Sequence, residues 1–516
     1  MAGSGHRVLV IGLELGDGRL LHDWALAGHL PRLRALRDEG AWGWLETSAE
    51  ELHVSPWPSL YTGTRPGQHG VYYTFQPAPG VQGHTRFHPG LYGRPTLWQL
   101  LDRAGRAATV LDAPYTHLEE GFGGSQVIDW GSGAQYSKTQ SAPAARLGEL
   151  ERAVGRYPLG LEAHDIGFMS VAPDEMTERI LRALPVKARA AQWLMGRAPW
   201  DLSFIVFGET HPAAHYCWSP TDATQPHLSR IYQALDRAVG ELVDAAGPEV
   251  TTLIVSADAI GPNHTGWHLL PEALARLGHF TSGDTPPAAN DRPAPAATAG
   301  RSLDPVRLVR DLLPKDFRKS LARMLPTTLR DRLAKRVDTA AIDWPRTRAF
   351  CLPTDLEGCI RINLRGREPL GIVEPGAEYG RLCDELAASL GELADPATGR
   401  RLVERVIRVD EAFPGPRRDH LPDLVVVWSR ARPIEAMGSP RIGTVAGPSP
   451  DPRPGTHAAP GFILARGPGI AAGTTIEGGH ILDLAPTVLA RLGVPAPAHM
   501  EGRVWRQLAE RQESSA

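Results

Sequence analysis

Short, near-continuous apolar runs punctuate the chain. Val8-Leu9-Val10-Ile11 ends at Gly12, and the same texture returns in Phe204-Ile205-Val206-Phe207, Leu253-Ile254-Val255, Leu424-Val425-Val426-Val427 and Gly461-Phe462-Ile463-Leu464. Runs of Val, Ile, Leu and Phe without polar alternation mark strands buried on both faces, as in parallel sheets. Helix-like patterns lie between them, such as Leu30–Arg37 and Ile231–Ala246. This alternation predicts an α/β fold with a doubly wound, mostly parallel central sheet flanked by helices. In such sheets chemistry gathers beyond the carboxyl ends of the strands, so the residues just after each run matter most.

The pattern breaks at residues 281–300, which are rich in Pro, Ala and small polar residues and read as a linker. The basic stretch Arg301–Arg336 follows, with helix-like segments such as Phe317–Met324. It reads as a solvated amphipathic helical insert, or as a cap whose Arg and Lys side chains attract an anionic substrate. The expected organisation is a first part of the core over 1–280, the linker and basic helical insert over 281–345, and the second part of the core over 346–516. A chain of 516 residues exceeds what one core covers, roughly 250–300 residues.

Composition narrows the partners. The net charge of −3, from 55 basic and 58 acidic residues, leaves no electrostatic footprint for nucleic acid. No apolar run approaches the ~20 residues needed to cross a bilayer, so no membrane partner is expected. The N-terminus lacks the n-region and h-region of a signal peptide. Four scattered cysteines without CxxC spacing fit a reducing cytoplasm. The oligomeric state, a homo-oligomer included, stays open.

Ligand-type residues collect at the strand ends. Glu14 follows the first run; Glu209-Thr210-His211-Pro212-Ala213-Ala214-His215 follows the second; Ser256-Ala257-Asp258 follows the third; Gly455-Thr456-His457 precedes the last. His211 and His215 are four apart and share one face of a helix starting there, with Pro212 suited to its first position. Such a pair alone is equally that of two ordinary polar histidines; the other strand-end groups give it weight.

These segments, in order, resemble the phosphodiesterase/nucleotide-pyrophosphatase side of the alkaline phosphatase superfamily. Gly12-Leu13-Glu14 with Asp17 resembles the family's opening "GLDGxDPxLL", and Leu30-Pro31-Arg32-Leu33 with Glu39-Gly40-Ala41 resembles "LPNLxxLxxEGA". Trp57 through Val71 resembles "WxSLLTGTxPGxHGI", and Glu209 through Trp218 resembles "ETDxxxHxxW". Ser256–Pro262 resembles "SDHGFGP", Ile360–Pro369 resembles "IRINLxGREP", and Gly455-Thr456-His457 with Gly467–Ile470 resembles "GxHxxxGIFxAxGPGI". Leu482–Leu489 resembles the "DIAPTIL" tail. The matches are collinear and cover most of the chain outside 281–340.

The resemblance implies a site for divalent metal, commonly two zinc ions, and a Ser or Thr nucleophile. At the matching positions His215 and His457 keep the family histidines, whereas His211 and Glu14 each replace an Asp, and Ala257 and Asp258 replace an Asp-His pair. The nucleophile position falls on His53, counted back from Thr62; a slip of two residues would present Ser55 instead. His53 could coordinate metal, act as a base or be phosphorylated. The expected ligand set is thus Glu14, His53, His211, His215, Asp258 and His457, with His211, His215 and His457 able to form a three-histidine site with an open position. Zinc leads, with iron or manganese allowed by the mixed donors, and one ion or two is left open. Glu209 is expected to orient His211, and His264 and His268 either donate hydrogen bonds to substrate or are plain loop histidines. Arg65, His69 and the glycines at 63, 67 and 70 are expected to build tight turns. The expected function is a metal-dependent hydrolase or transferase acting on a small anionic phosphoester, phosphodiester or similar ester. The competitors are a metalloenzyme with oxidative chemistry and a degenerate binding protein.

Overall fold

The structure, a computed structural model, describes residues 6–119, 121–131, 139–159, 171–283 and 342–508. The first part of the chain carries β1 (Arg7–Leu13), β2 (Ala41–Glu46), β3 (Phe75–Gln76), β4 (Thr85–Arg86), β5 (Ala108–Leu111), β6 (Ser125–Ile128), β7 (Gln140–Ala142), β8 (Leu202–Phe207), β9 (Val250–Ser256) and β10 (Ala259–Pro262). The second part carries β11 (Ala349–Cys351), β12 (Gly358–Ile362), β13 (Val403–Arg408), β14 (Leu424–Trp428), β15 (Ala436–Ser439), β16 (Gly443–Ala446), β17 (Gly455–Ala458), β18 (Gly461–Arg466) and β19 (Thr474–His480).

Nine strands form one sheet in the order β19-β2-β18-β9-β1-β8-β5-β6-β7. β1 lies at its centre, parallel to β8 and β9, and every residue of these three strands except Arg7 is buried. That accounts for their unbroken apolar runs, because both faces are covered. Leu9, Ile11 and Leu13 pack with the helices Pro173–Met195 and Pro226–Ala246, while Val8 and Val10 pack with Pro56–Thr62, Leu97–Arg103 and Leu484–Arg491. Gly12 has no room for a side chain: a Cβ there would lie 2.6 Å from the Trp57 ring. The helical pattern at Leu30–Arg37 is the helix Pro31–Asp38, and that at Ile231–Ala246 is the helix Pro226–Ala246. β18, the run at Gly461–Leu464, is antiparallel to both neighbours, β2 and β9.

The run Leu424–Val427 belongs elsewhere. It is β14 of a separate antiparallel sheet, ordered β11-β12-β14-β13. Leu424 and Val426 face one apolar cluster, built with the helices Leu270–Arg276 and Ala377–Gly391, and Val425 and Val427 face another. Burial on both faces gives it the same texture as a central parallel strand, so the sequence pattern does not separate the two. Residues 349–446 therefore build a second lobe, and the chain rejoins the large sheet through β18 and β19. The linker and basic insert expected over 281–345 fall, apart from their ends, outside the described residues; at those ends Ser282 bridges Ile342. Among the described residues no helix is long and apolar enough to cross a membrane.

Candidate metal centre

β8 ends at Phe207, and the helix Thr210–Cys217 begins three residues later. Its start is pinned by the Thr210 hydroxyl, which donates to the carbonyls of Glu14 (2.6 Å) and Phe207 (3.0 Å). The four-residue spacing then sets His211 and His215 on one face, with their Nε2 atoms 3.2 Å apart. The third imidazole comes from the far end of the chain. β17 pairs antiparallel with β10, the ribbon that continues from β9, and this places His457 opposite Ile260. The His457 ring centroid is 5.4 Å from those of both His211 and His215. One ring nitrogen from each of His211, His215 and His457 lies within 4.8 Å of the others.

Hydrogen bonds fix which nitrogen faces inward. His215 Nδ1 lies 2.8 Å from the Gly455 carbonyl, which only accepts, so Nδ1 carries the proton and Nε2 keeps its lone pair. His457 Nδ1 lies 2.6 Å from Asp258 Oδ2. Asp258 is itself held by the Leu15 N–H at 3.1 Å. Leu15 adopts φ 59°, a conformation leucine seldom takes, in the turn that brings this N–H round. Burial holds the His215 and His457 imidazoles well below the ordinary histidine pKa; the Arg453 charge adds to this at His215, and the His53 charge at His457. Both rings are therefore neutral and ligand-ready near neutral pH. Burial pushes the Asp258 carboxyl up to about 7.

This donor set suits a divalent ion. Tetrahedral zinc with ~2.0–2.1 Å bonds puts its nitrogen ligands roughly 3.3 Å apart, close to the His211–His215 separation. Two rings also have their outer nitrogens held by an oxygen acceptor, the arrangement that orients metal-bound histidines.

Other expected site residues lie differently. Asp258 stands behind His457, not among the three donors, because its carboxylate is spent on His457 and Leu15. Glu14 is buried at the end of β1 and lies outside the three-histidine group. His53 is buried between two acids: Nδ1 is 2.8 Å from Glu357 and Nε2 is 2.9 Å from Asp355. Burial opposes its charge, but Glu357 and Asp355 outweigh that and raise its pKa to about 10. Held as an imidazolium between the two carboxylates, His53 has no lone pair for an ion or a proton, although its ring sits 5.0 Å from that of His457. Ser55 is fully buried, and its Oγ donates to the Leu52 carbonyl (2.7 Å) beside Ser48 Oγ (2.8 Å), so it presents no free nucleophile. Glu209 accepts from the Tyr157 hydroxyl at 2.7 Å, and burial raises its pKa. His268 Nε2 faces the Gly447 carbonyl at 3.1 Å, and neither it nor His264 joins the histidine group.

The turn residues behave as structural parts. Gly63 and Gly70 take φ 64° and 79°, and His69 bridges Ser59 Oγ (3.0 Å) and the Val71 N–H (3.1 Å). Asp355, Glu357 and Arg453 also build the site, although none of them follows a strand of the large sheet. Arg453 spans Asp355 and Asp451, at 2.7 Å each, so the network behind His53 is closed by a cation. Their signal in the sequence is the acidic pair Asp355-Leu356-Glu357 just before β12, away from the strand ends of the large sheet.

Residues 8–263 match the family described as type I phosphodiesterase / nucleotide pyrophosphatase. No curated protein sequence matches the chain. Among solved structures, phosphonoacetate hydrolase from Sinorhizobium meliloti 1021 in complex with phosphonoacetate superposes with a TM-score of 0.51 at 12% identity, covering 94% of this chain and 96% of that one. Human ectonucleotide pyrophosphatase/phosphodiesterase 5 superposes with a TM-score of 0.50 at 12% identity, covering 96% of each chain. At such identity these two carry the fold alone, which is the large helix-flanked sheet described above. Family match and collinear motifs agree: over residues 8–263 the chain belongs to the type I phosphodiesterase / nucleotide pyrophosphatase family.

Proposed function

We propose that the protein is a metal-dependent hydrolase of phosphoesters or phosphodiesters, with the ion held by His211, His215 and His457. The observation that carries this reading is the convergence of three imidazoles from two distant stretches of chain, two of them kept neutral by burial. An ion held by these three imidazoles would supply Lewis acidity for a phosphoryl oxygen and would acidify a water. With the carboxylates of Glu14 and Asp258 outside the group, the donors are all imidazole, which favours zinc over iron or manganese. Asp258 and the Gly455 carbonyl act as positioning groups, aiming the two Nε2 atoms inward. Because the His53 nitrogens and the Ser55 hydroxyl are engaged, the attacking group in this reading is water, and the alcohol leaves from phosphorus in the same displacement. The four unpaired thiols among the described residues support a reducing, cytoplasmic setting.

The test is metal content and turnover measured together. Wild type should carry ion after purification and release p-nitrophenol from p-nitrophenyl phosphate or bis(p-nitrophenyl) phosphate. Chelation or His211→Ala should remove both. Turnover that persists in fully demetallated protein, or absence of any turnover with the ion in place, overturns the reading.

A further inference from the structure

A cavity of about 650 Å3 lies at the edge of the second lobe, bordered by the β3–β4 hairpin, the start of the helix Leu270–Arg276 and the strands β11 and β12. Its wall is aromatic, with Tyr73, Phe75, Trp267, Trp344 and Phe350 contributing rings. Among the described residues no Asp, Glu, Lys or Arg lines it, so this wall is unsuited to a phosphoryl group itself. Its volume falls within the several hundred Å3 typical of small-molecule sites.

Two of its lining residues stand next to the His53 network that adjoins the metal centre. The Tyr73 ring stands edge-on to the His53 ring at 5.5 Å, and the His53 ring lies 5.0 Å from that of His457. Thr354, also in the wall, directly precedes Asp355, which pairs with His53. The cavity therefore lies two ring-to-ring steps from the three-histidine group. An ester with its phosphorus at the imidazoles would carry an organic group of one or two fused rings towards it. Aromatic walls favour a flat aromatic guest, which stacks offset or edge-to-face at each ring.

We propose that this cavity seats the apolar, aromatic alcohol portion of the ester substrate, making aryl esters the preferred class. The inference rests on the hydrolase reading above. Its test separates the two. In metal-free protein, 2-naphthol titrated by calorimetry should bind one to one. In metal-loaded protein turning over p-nitrophenyl phosphate, 1-naphthylmethylphosphonate should inhibit at a concentration at least about tenfold below methylphosphonate, since each buried CH2-sized increment adds a severalfold gain. Cys351→Trp, which fills the cavity from the edge strand β11, should abolish naphthol binding and bring the two inhibitors together, with metal content unchanged. Pro271→Trp, at the exposed rim, serves the same purpose if the first variant fails to fold. Absence of naphthol binding, or an inhibitor ratio near one in wild type, with turnover intact, overturns the cavity's role and leaves the hydrolase standing. Naphthol bound without turnover of any ester in metal-loaded protein sinks the hydrolase reading and with it this assignment.

Discussion

Replacing His53 by glutamine removes a buried cation from between Glu357 and Asp355 while keeping a side chain of similar size. Without the imidazolium, Asp355 keeps Arg453 as a partner, whereas among the described residues Glu357 keeps the weak Cys359 thiol at 3.7 Å. The rise of the His53 pKa from 6.5 to about 10 corresponds to ~5 kcal/mol as an upper figure. Breaking one side of a buried ion pair costs ~3–5 kcal/mol by a separate route, so the two agree in size. The sign follows from the direction of the shift. The folded protein holds this proton more tightly than the unfolded chain, so the stabilisation is complete below pH 6.5 and is lost as pH climbs through about 10. Urea unfolding followed by tryptophan fluorescence, run from about pH 6 to about pH 10, should show wild-type stability falling by ~3–5 kcal/mol across that range. His53→Gln should start lower by a similar amount and follow a flatter course. Parallel curves for the two proteins would refute the reasoning, since they would mean that His53 binds its proton no more tightly in the folded state.

Other perturbations test separate contacts. Asp258→Asn keeps the shape but removes the charge behind His457 Nδ1, and competitive titration against a chelating dye should show metal affinity reduced ~10–100-fold. Lys187→Met strands the fully buried Asp112 carboxylate that Lys187 pairs with; denaturant unfolding should show a loss of ~3–5 kcal/mol. Gly67→Ala would place a Cβ 2.1 Å from the Phe413 carbonyl, and thermal melting should register a destabilisation of at least ~1–3 kcal/mol from the forced shift.

The strands around β1 were legible because burial on both faces writes itself as an unbroken apolar run. Leu424–Val427 has the same texture yet lies in the other sheet, since two apolar clusters cover β14 as completely as helices cover β8. The histidines at 211, 215 and 457 were readable as strand-end groups of ligand type, and their meeting follows from the helix spacing and the β10–β17 pairing. What the sequence hid was how the neighbouring groups are used. Asp258 and His53 are ligand types at ligand positions, yet each is claimed by a partner: Asp258 by His457 and Leu15, His53 by two acids contributed from the second lobe. Residue type and order do not reveal a long-range partner such as Glu357, which is 304 positions from His53.

The ribbon of β10 and β17 has a bearing on how the protein matures. His215 and the Gly455 carbonyl that steadies it are separated by 240 positions, and the entire second lobe is threaded between them. A cation gripping His211, His215 and His457 would therefore fasten both ends of that excursion with a single knot. Nascent protein could acquire its ion only once the excursion had come home, so metal capture would report finished topology, and its loss would loosen the seam at which the two lobes begin and end.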